Sequence, residues 1–166
     1  LEVQSSLNRS LLQSLTGALQ VPGPHISRLY KLLMAQDFAG LKGLFHAFYA
    51  SIANDWYRKN ELSAYEGYYA SIFYSYFAAL GLDIRLEDST NLGRIDMAVL
   101  FNSQVFLFEF KVVEFNPAGQ ALQQLKDMAY ADKYKARGEP IHLIGVAFSK
   151  ASRNIVEFAV ETLAAQ

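Results

Sequence analysis

Three charged residues, Asp96, Glu109 and Lys111, are set in the mostly apolar stretch that runs from Ile95 through Met97–Phe101 and Val105–Phe110 to Lys111. Two carboxylates and an ammonium group are the parts of either a cation site or an ion pair. Carboxylate oxygens are ligands for hard divalent ions such as Mg²⁺. Buried charges cost several kcal/mol each unless they are paired or metal-bound. What the three residues can do therefore depends on how they are placed.

The spacing predicts two β-strands, Arg94 to Phe101 and Gln104 to Val113, joined by a tight turn at Asn102-Ser103. Phe101 then faces Gln104, and counting down the ladder sets Asp96 opposite Glu109. Facing residues in an antiparallel pair hold their Cβ atoms roughly 4.5–5.5 Å apart. Lys111, two residues past Glu109, shares its face. One reading is a structural ion pair of Lys111 with either carboxylate. The other is a divalent ion between two carboxylates that would otherwise repel.

Composition bounds the alternatives. A chain of 166 residues with 52% hydrophobic residues fits one globular domain with a sizeable core. Its formal net charge of −1 rules out a strongly basic nucleic-acid arm, so any such contact must come from a local patch. The absence of cysteine excludes disulfides and thiolate zinc sites, and a cytoplasmic location is expected. No apolar run approaches the ~20 residues of a membrane span, so no membrane partner is expected. Leu1 stands where a methionine would begin a chain, and a piece of a longer protein is expected.

The elements that must position the charged residues follow in order. Leucines at 7, 11, 12, 15 and 19 predict a helix over Ser5–Gln20, ended by Pro22-Gly23-Pro24. A second helix is predicted over His25–Ala35, with Ile26, Leu29, Tyr30 and Leu33 on one side. A third runs from Phe38 to Ile52 with Asp37 as its N-cap. Residues 1–60 thus read as a helical lead-in or connector, and residues 61–166 as the domain that carries the chemistry. From Leu62 to Leu80 an aromatic stripe of Tyr65, Tyr68, Tyr69, Ile72, Phe73, Tyr76 and Phe77 predicts a core helix stopped at Gly81. Glu66 flanks that stripe, where it can form a capping box with Ser63.

Leu82–Leu86 reads as a first strand. Asn116-Pro117 reads as the start of a helix running to about Arg137, with Ala118, Ala121, Leu122, Leu125 and Ala129 inward and Gln124 at the border. Lys126, Tyr130, Lys133 and Arg137 fall on one flank of that helix. They are either a nucleic-acid-binding stripe or a solvated face, given Asp127 and Asp132 nearby. Ile141–Phe148 is a continuous apolar run and a buried strand, with His142 a satisfied core histidine. Asn154–Thr162 alternates as an edge strand, or else forms a short helix.

The resulting αβββαβ order, with Ile95-Asp96, a hairpin and Glu109-Phe110-Lys111, resembles the PD-(D/E)xK nuclease superfamily. The resemblance implies an α/β fold with a restriction-endonuclease-like core, a central mixed sheet flanked by helices, here with an N-terminal helical extension. Ile95 stands where the family often has proline. Read outward, Tyr65-Glu66-Gly67-Tyr68-Tyr69, Gly93-Arg94-Ile95-Asp96, Ala121-Leu122-Gln123-Gln124-Leu125, Tyr130 with Tyr134, and Ile144-Gly145-Val146-Ala147-Phe148-Ser149 complete the series. Over roughly Asp37 to Glu157 they are similar to the nuclease-like domains found behind predicted AAA-type ATPases.

That resemblance implies a Mg²⁺- or Mn²⁺-dependent hydrolase of phosphodiester bonds acting on nucleic acid, DNA in the first instance. It implies Asp96 and Glu109 as metal ligands, the Phe110 backbone carbonyl as a further oxygen, and Glu66 as an anchor for a second ion or a water. Lys111 would position or deprotonate the water and offset phosphate charge, and Gln124 would reach in from the following helix. The competing function is a catalytically silent nuclease fold that binds nucleic acid or couples to an attached ATPase. There is no G-x-x-x-x-G-K-[ST] loop and no G-x-S-x-G elbow, and His25, His46 and His142 lie in different elements.

Overall fold

The charged stretch forms the middle of a five-stranded mixed sheet. The computed structural model describes residues 23–52 and 66–165. The helix expected over Ser5–Gln20, Tyr65, and Ser63 of the possible capping box lie outside the described residues. The described elements are α1 (Gly23–Met34), α2 (Phe38–Ser51), α3 (Glu66–Ala79), β1 (Asp83–Ser89), β2 (Arg94–Phe101), β3 (Gln104–Val112), α4 (Gln120–Asp127), α5 (Asp132–Lys135), β4 (Ile141–Ser149) and β5 (Asn154–Leu163). This is the α/β, restriction-endonuclease-like arrangement with helices ahead of it.

The strands lie in sequence order, antiparallel except for the parallel pair β3–β4. Parallel neighbours need a crossover connection, and residues 113–140 with α4 and α5 supply it. The β2–β3 hairpin turns at Asn102 and Ser103, with φ of 51° and 54°. Two successive positive-φ residues match the twist of a two-residue hairpin, so Phe101 pairs with Gln104 as the turn length dictates. Residues 154–163 form a strand throughout, with no helix there.

Each face of the sheet is covered by its own layer. On one side Phe106, Phe108, Phe110, Ile144, Val146 and Phe148 pack against α1, α2 and α3. On the other side Val105, Leu107, Ile141 and Leu143 pack against Leu125, Tyr130 and Tyr134. This explains why β3 and β4 read as unbroken apolar runs: a strand covered on both faces has no solvent side. Asp37 caps α2, its carboxylate accepting from the Gly40 N–H at 2.8 Å. Phe45 of α2 stacks on Phe73 of α3 with centroids 3.8 Å apart, so the described helices of the lead-in share the core of the sheet. On α1, Leu29 and Leu33 are buried but Tyr30 is 45% exposed.

The long helix expected from Pro117 to Arg137 is two short ones. Asn116 does not cap it: its side chain donates to Glu66 Oε1 and to the Val112 carbonyl instead. The helix begins three residues later, after Gly119 in the left-handed region (φ 79°), whose N–H donates to Glu157 Oε2 at 3.0 Å. Ala118 is therefore exposed, whereas Ala121 and Leu125 are buried as expected. The chain breaks again at Ala129 (φ 46°), which turns Tyr130 into the core at 2% exposure. Burying a large aromatic ring outweighs the few tenths of a kcal/mol of helix propensity lost there.

Candidate active site

β2 and β3 part company at the charged residues. Their ladder runs from Phe101↔Gln104 to Met97↔Phe108 and stops. Asp96 is thus not the face-to-face ladder partner of Glu109 that the register count predicts. Its carboxylate instead accepts the Phe110 backbone N–H at 2.9 Å, filling the gap as the strands diverge. The β1–β2 ladder lapses at the same level, between Leu86↔Met97 and Asp88↔Ile95. Glu87, in that gap, has φ +45°. Side-chain alternation slips here too: Ile95 and Ala98 pack in the α4-side layer, while Met97 and Val99 pack in the other. Asp96 is consequently aimed into a cleft of about 340 Å³ beside α3. A non-glycine residue at positive φ costs of order 1–3 kcal/mol and is typical of sites where a side chain must be re-aimed.

Glu109 is 1% exposed. Its Oε1 accepts from Lys111 Nζ at 2.8 Å, so the ion pair considered from the sequence is formed. Its Oε2 is buried with no hydrogen-bond partner among the described residues. Burial first, and the Asp96 charge second, push its pKa up from 4.5 to about 7. Burial likewise raises Asp96, against the Phe110 N–H and Lys111, which favour its charged form. Burial alone would lower Lys111, but Glu109, Glu66 and Asp96 together hold it above its ordinary value and keep it a cation.

Glu66 opens α3 and reaches across to the end of β3. Its Oε1 accepts from the Val112 N–H at 3.3 Å and from Asn116 Nδ2 at 3.2 Å, and its Oε2 lies 4.0 Å from Lys111 Nζ. Lys111 is thus bracketed by Glu109 and Glu66. Among the described residues no group of three His, Cys, Asp or Glu side chains forms a metal cage. A hard cation here would rest on Asp96 and Glu109, and the residues present fit one: a carboxylate oxygen with no donor, at 1% exposure, is an acceptor left for a cation.

Gln124 lies on α4, which crosses β4 so closely that Leu122 backbone packs on Gly145. Gly119 and Lys126 bond Glu157 and Glu161 of β5 and so mark the β5 flank of this helix. At 100° per residue Gln120 and Gln124 then fall on the opposite flank, toward β3, where Glu109 pairs with Gly145 in the ladder. Gln120 Oε1 is buried without a hydrogen-bond partner among the described residues. Sequence reasoning missed it, although it stands one helical turn before Gln124. Asn116, the donor that fixes Glu66, was missed as well, because Asn before Pro reads as a cap.

The basic flank does not form as a stripe. With the helix broken, Tyr130 is in the core, Lys126 pairs with Glu161 at 2.8 Å, Lys133 with Asp88 at 2.5 Å and Arg137 with Glu139 at 2.6 Å. His142 is buried as expected, its Nδ1 against Thr162 Oγ1 (2.9 Å) and its Nε2 against Gln104 Oε1 (2.8 Å).

Fold and site together define a nuclease-like α/β domain, and comparison with known proteins gives it a family. Residues 64–158 match the family model of the PD-(D/E)XK nuclease superfamily, and the chain belongs to that superfamily. A protein of Azotobacter chroococcum mcd 1, described as an uncharacterized protein in the vnfD 5′ region, is 64% identical over 163 residues. That similarity takes in 98% of this chain but 32% of the relative, so the chain spans about a third of the relative's length. No described helix is long and apolar enough to cross a membrane.

Proposed function

We propose that this domain hydrolyses phosphodiester bonds of nucleic acid, DNA in the first instance, with the help of Mg²⁺ or Mn²⁺. The observation that carries the reading is Glu109: a carboxylate at 1% exposure, with one oxygen lacking any donor, beside a second carboxylate at the point where two strands separate. Asp96 and Glu109 would hold the ion, with the Phe110 carbonyl as a further oxygen. The ion would supply electrophilic polarisation of the phosphoryl group and a more acidic water. Lys111, a cation set between Glu109 and Glu66, faces charge building on the phosphate and positions the water. Glu66 holds Lys111 and the β3 terminus in place through Val112 and Asn116, and is the residue to anchor a second ion or a water. Gln124 orients a water or Lys111 from the β3 flank of α4.

The same motif series supports the branch of nuclease-like domains attached to AAA-type ATPases, and we extend the proposal to such an ATPase region in the full-length protein. A second reading also has an observation in its favour. The Glu109–Lys111 pair at 2.8 Å, with no three-ligand cage among the described residues, suits a silent module that binds nucleic acid or couples to that ATPase. A cleavage assay on single-stranded, linear duplex and supercoiled DNA, with Mg²⁺, Mn²⁺ or EDTA, separates the two. Metal-dependent cleavage that Asp96→Asn abolishes is expected, and a wild type that cleaves none of them would leave the silent module.

A further inference from the structure

The cleft into which Asp96 points continues along α3, away from Glu109 and Lys111. Its wall is the outer face of that helix, where Gly67, Ala70 and Tyr74 follow one another at helical spacing. Opposite them stand Leu86 and Glu87 of β1. A Cβ added at Gly67 would meet nothing within 4 Å, and Ala70 adds only a methyl, so this wall is open up to the half-buried ring of Tyr74. Leu86, on the edge strand β1, is 49% exposed, an apolar side chain left facing the opening.

Among the described residues the lining sets Gly67, Ala70, Tyr74, Leu86 and Phe110 beside Ser71 and the carboxylates of Glu66, Glu87 and Asp96, with no lysine, arginine or histidine. Away from an ion at Asp96, such a surface offers a phosphate no cationic partner among the described residues. It suits a flat, uncharged ring whose faces are apolar and whose edge carries N–H donors. The volume, about 340 Å³, is at the small end of the range of roughly 300–1,000 Å³ seen for ligand pockets. It has room for one base with its sugar and not for a stacked pair. A base inside a duplex cannot enter it without leaving the stack.

We propose that the cleft between Tyr74 and Leu86 receives one unpaired nucleobase next to the scissile phosphate, so that the substrate is a single strand, flap or frayed end and not an intact duplex. This rests on the nuclease reading of the adjoining site and names its substrate class. Tyr74 is the stacking partner, and the small residues at 67 and 70 admit the ring.

The test uses DNA carrying 2-aminopurine at successive positions, whose fluorescence falls on stacking. Single strands and blunt duplexes are compared in EDTA for binding and in Mg²⁺ for cleavage. The wild type is expected to quench the probe at one position of the single strand and to cleave single strands faster than blunt duplex. Base–aromatic stacking predicts that Tyr74→Ala weakens single-strand binding by about 5- to 100-fold. Ala70→Leu, which fills the cleft and leaves every charge in place, should do the same, with circular dichroism and melting temperature showing both variants folded. Equal binding and cleavage of blunt duplex by the wild type, or quenching unchanged in both variants, would overturn the inference. Tyr74-dependent quenching without cleavage of any substrate would sustain the base-binding cleft while removing the nuclease reading.

Discussion

Asp96 and Glu109 owe their properties to where the strands separate. Both carry pKa values raised chiefly by burial, and each would be relieved by a cation. A divalent ion that binds only the folded chain should stabilise it by RT ln(1+[L]/Kd), about 2.7 kcal/mol at a hundredfold excess over Kd. Asp96→Asn should lose that stabilisation, read as coincident melting curves in Mg²⁺ and EDTA, without unfolding the metal-free protein. A wild type indifferent to metal beside a variant destabilised by ~3–5 kcal/mol would instead mark a structural ion pair. Glu109 adds a pH test. Its folded pKa, about 7, lies above its ordinary 4.5, so the folded state holds the proton longer than the unfolded one. The stabilisation is complete below pH 4.5 and is lost as pH rises through about 7, some 3 kcal/mol in all. Metal-free wild type should therefore lose melting temperature from pH 5 to 8 relative to Glu109→Gln. His142, held below its ordinary value by burial, contributes the opposite slope on acidification in both proteins and cancels in the difference. Parallel pH profiles would show that Glu109 is not protonated in the fold.

At the scale of elements, the placement of α4 decides whether Gln120 and Gln124 can serve the site. That helix lies on β4 where Gly145 has no side chain: an added Cβ would overlap the Leu122 backbone nitrogen and sit 2.8 Å from its Cα. Those are backbone atoms and cannot rotate away. Gly145→Ala should cost about 1–3 kcal/mol of stability through overpacking and should lower cleavage beyond what the lost stability explains, because α4 is displaced. Unaltered turnover in a destabilised variant would remove α4 from the machinery. Lys126 on α4, and Lys133 and Arg137 beyond its break, stand in ion pairs with Glu161, Asp88 and Glu139. Replacing the three together should leave the salt dependence of DNA binding nearly unchanged. A slope flatter by about one unit per residue would restore them as phosphate contacts.

For the whole molecule, the helices ahead of the sheet matter as much as the domain they precede. Leu41, Leu44, Phe45, Phe48 and Tyr49 are buried against α3 and the sheet, and Tyr49 donates to the Tyr69 carbonyl at 2.8 Å. Phe45→Ala should destabilise by about 3–5 kcal/mol. A fragment starting at residue 61 should expose the Phe73, Phe77 and Phe148 surface, and 8-anilinonaphthalene-1-sulfonate binding with loss of cooperative melting would report it. A fragment that melts as cooperatively as the full chain would show that residues 1–60 are only a connector.

Much of this was legible in the residues because the determinants are local. Alternation and apolar runs set β2, β3 and β4, turn length set Phe101 against Gln104, and the aromatic stripe from Tyr68 to Phe77 set the helix that packs beneath them. The motif series from Glu66 to Ser149 gave the family, since it records which side chains the chemistry needs and in which order. Three things needed the tertiary structure. The register count carried Asp96 to Glu109 as if the ladder continued, but the ladder ends at Met97↔Phe108, and the carboxylate takes a backbone N–H in place of a facing residue. Helical periodicity carried residues 117–137 as one helix, but Gly119 is tied to Glu157 on β5 and Tyr130 is drawn into the core, contacts with chain 38 residues downstream or across the sheet. The cleft beside Tyr74 exists because α3, β1 and β2, consecutive in the chain, fold back around Asp96, a juxtaposition of elements that the pattern within each one does not give. Local pattern fixes which face of an element is apolar. Only long-range packing fixes where a ladder ends, where a helix breaks and what space is left between them.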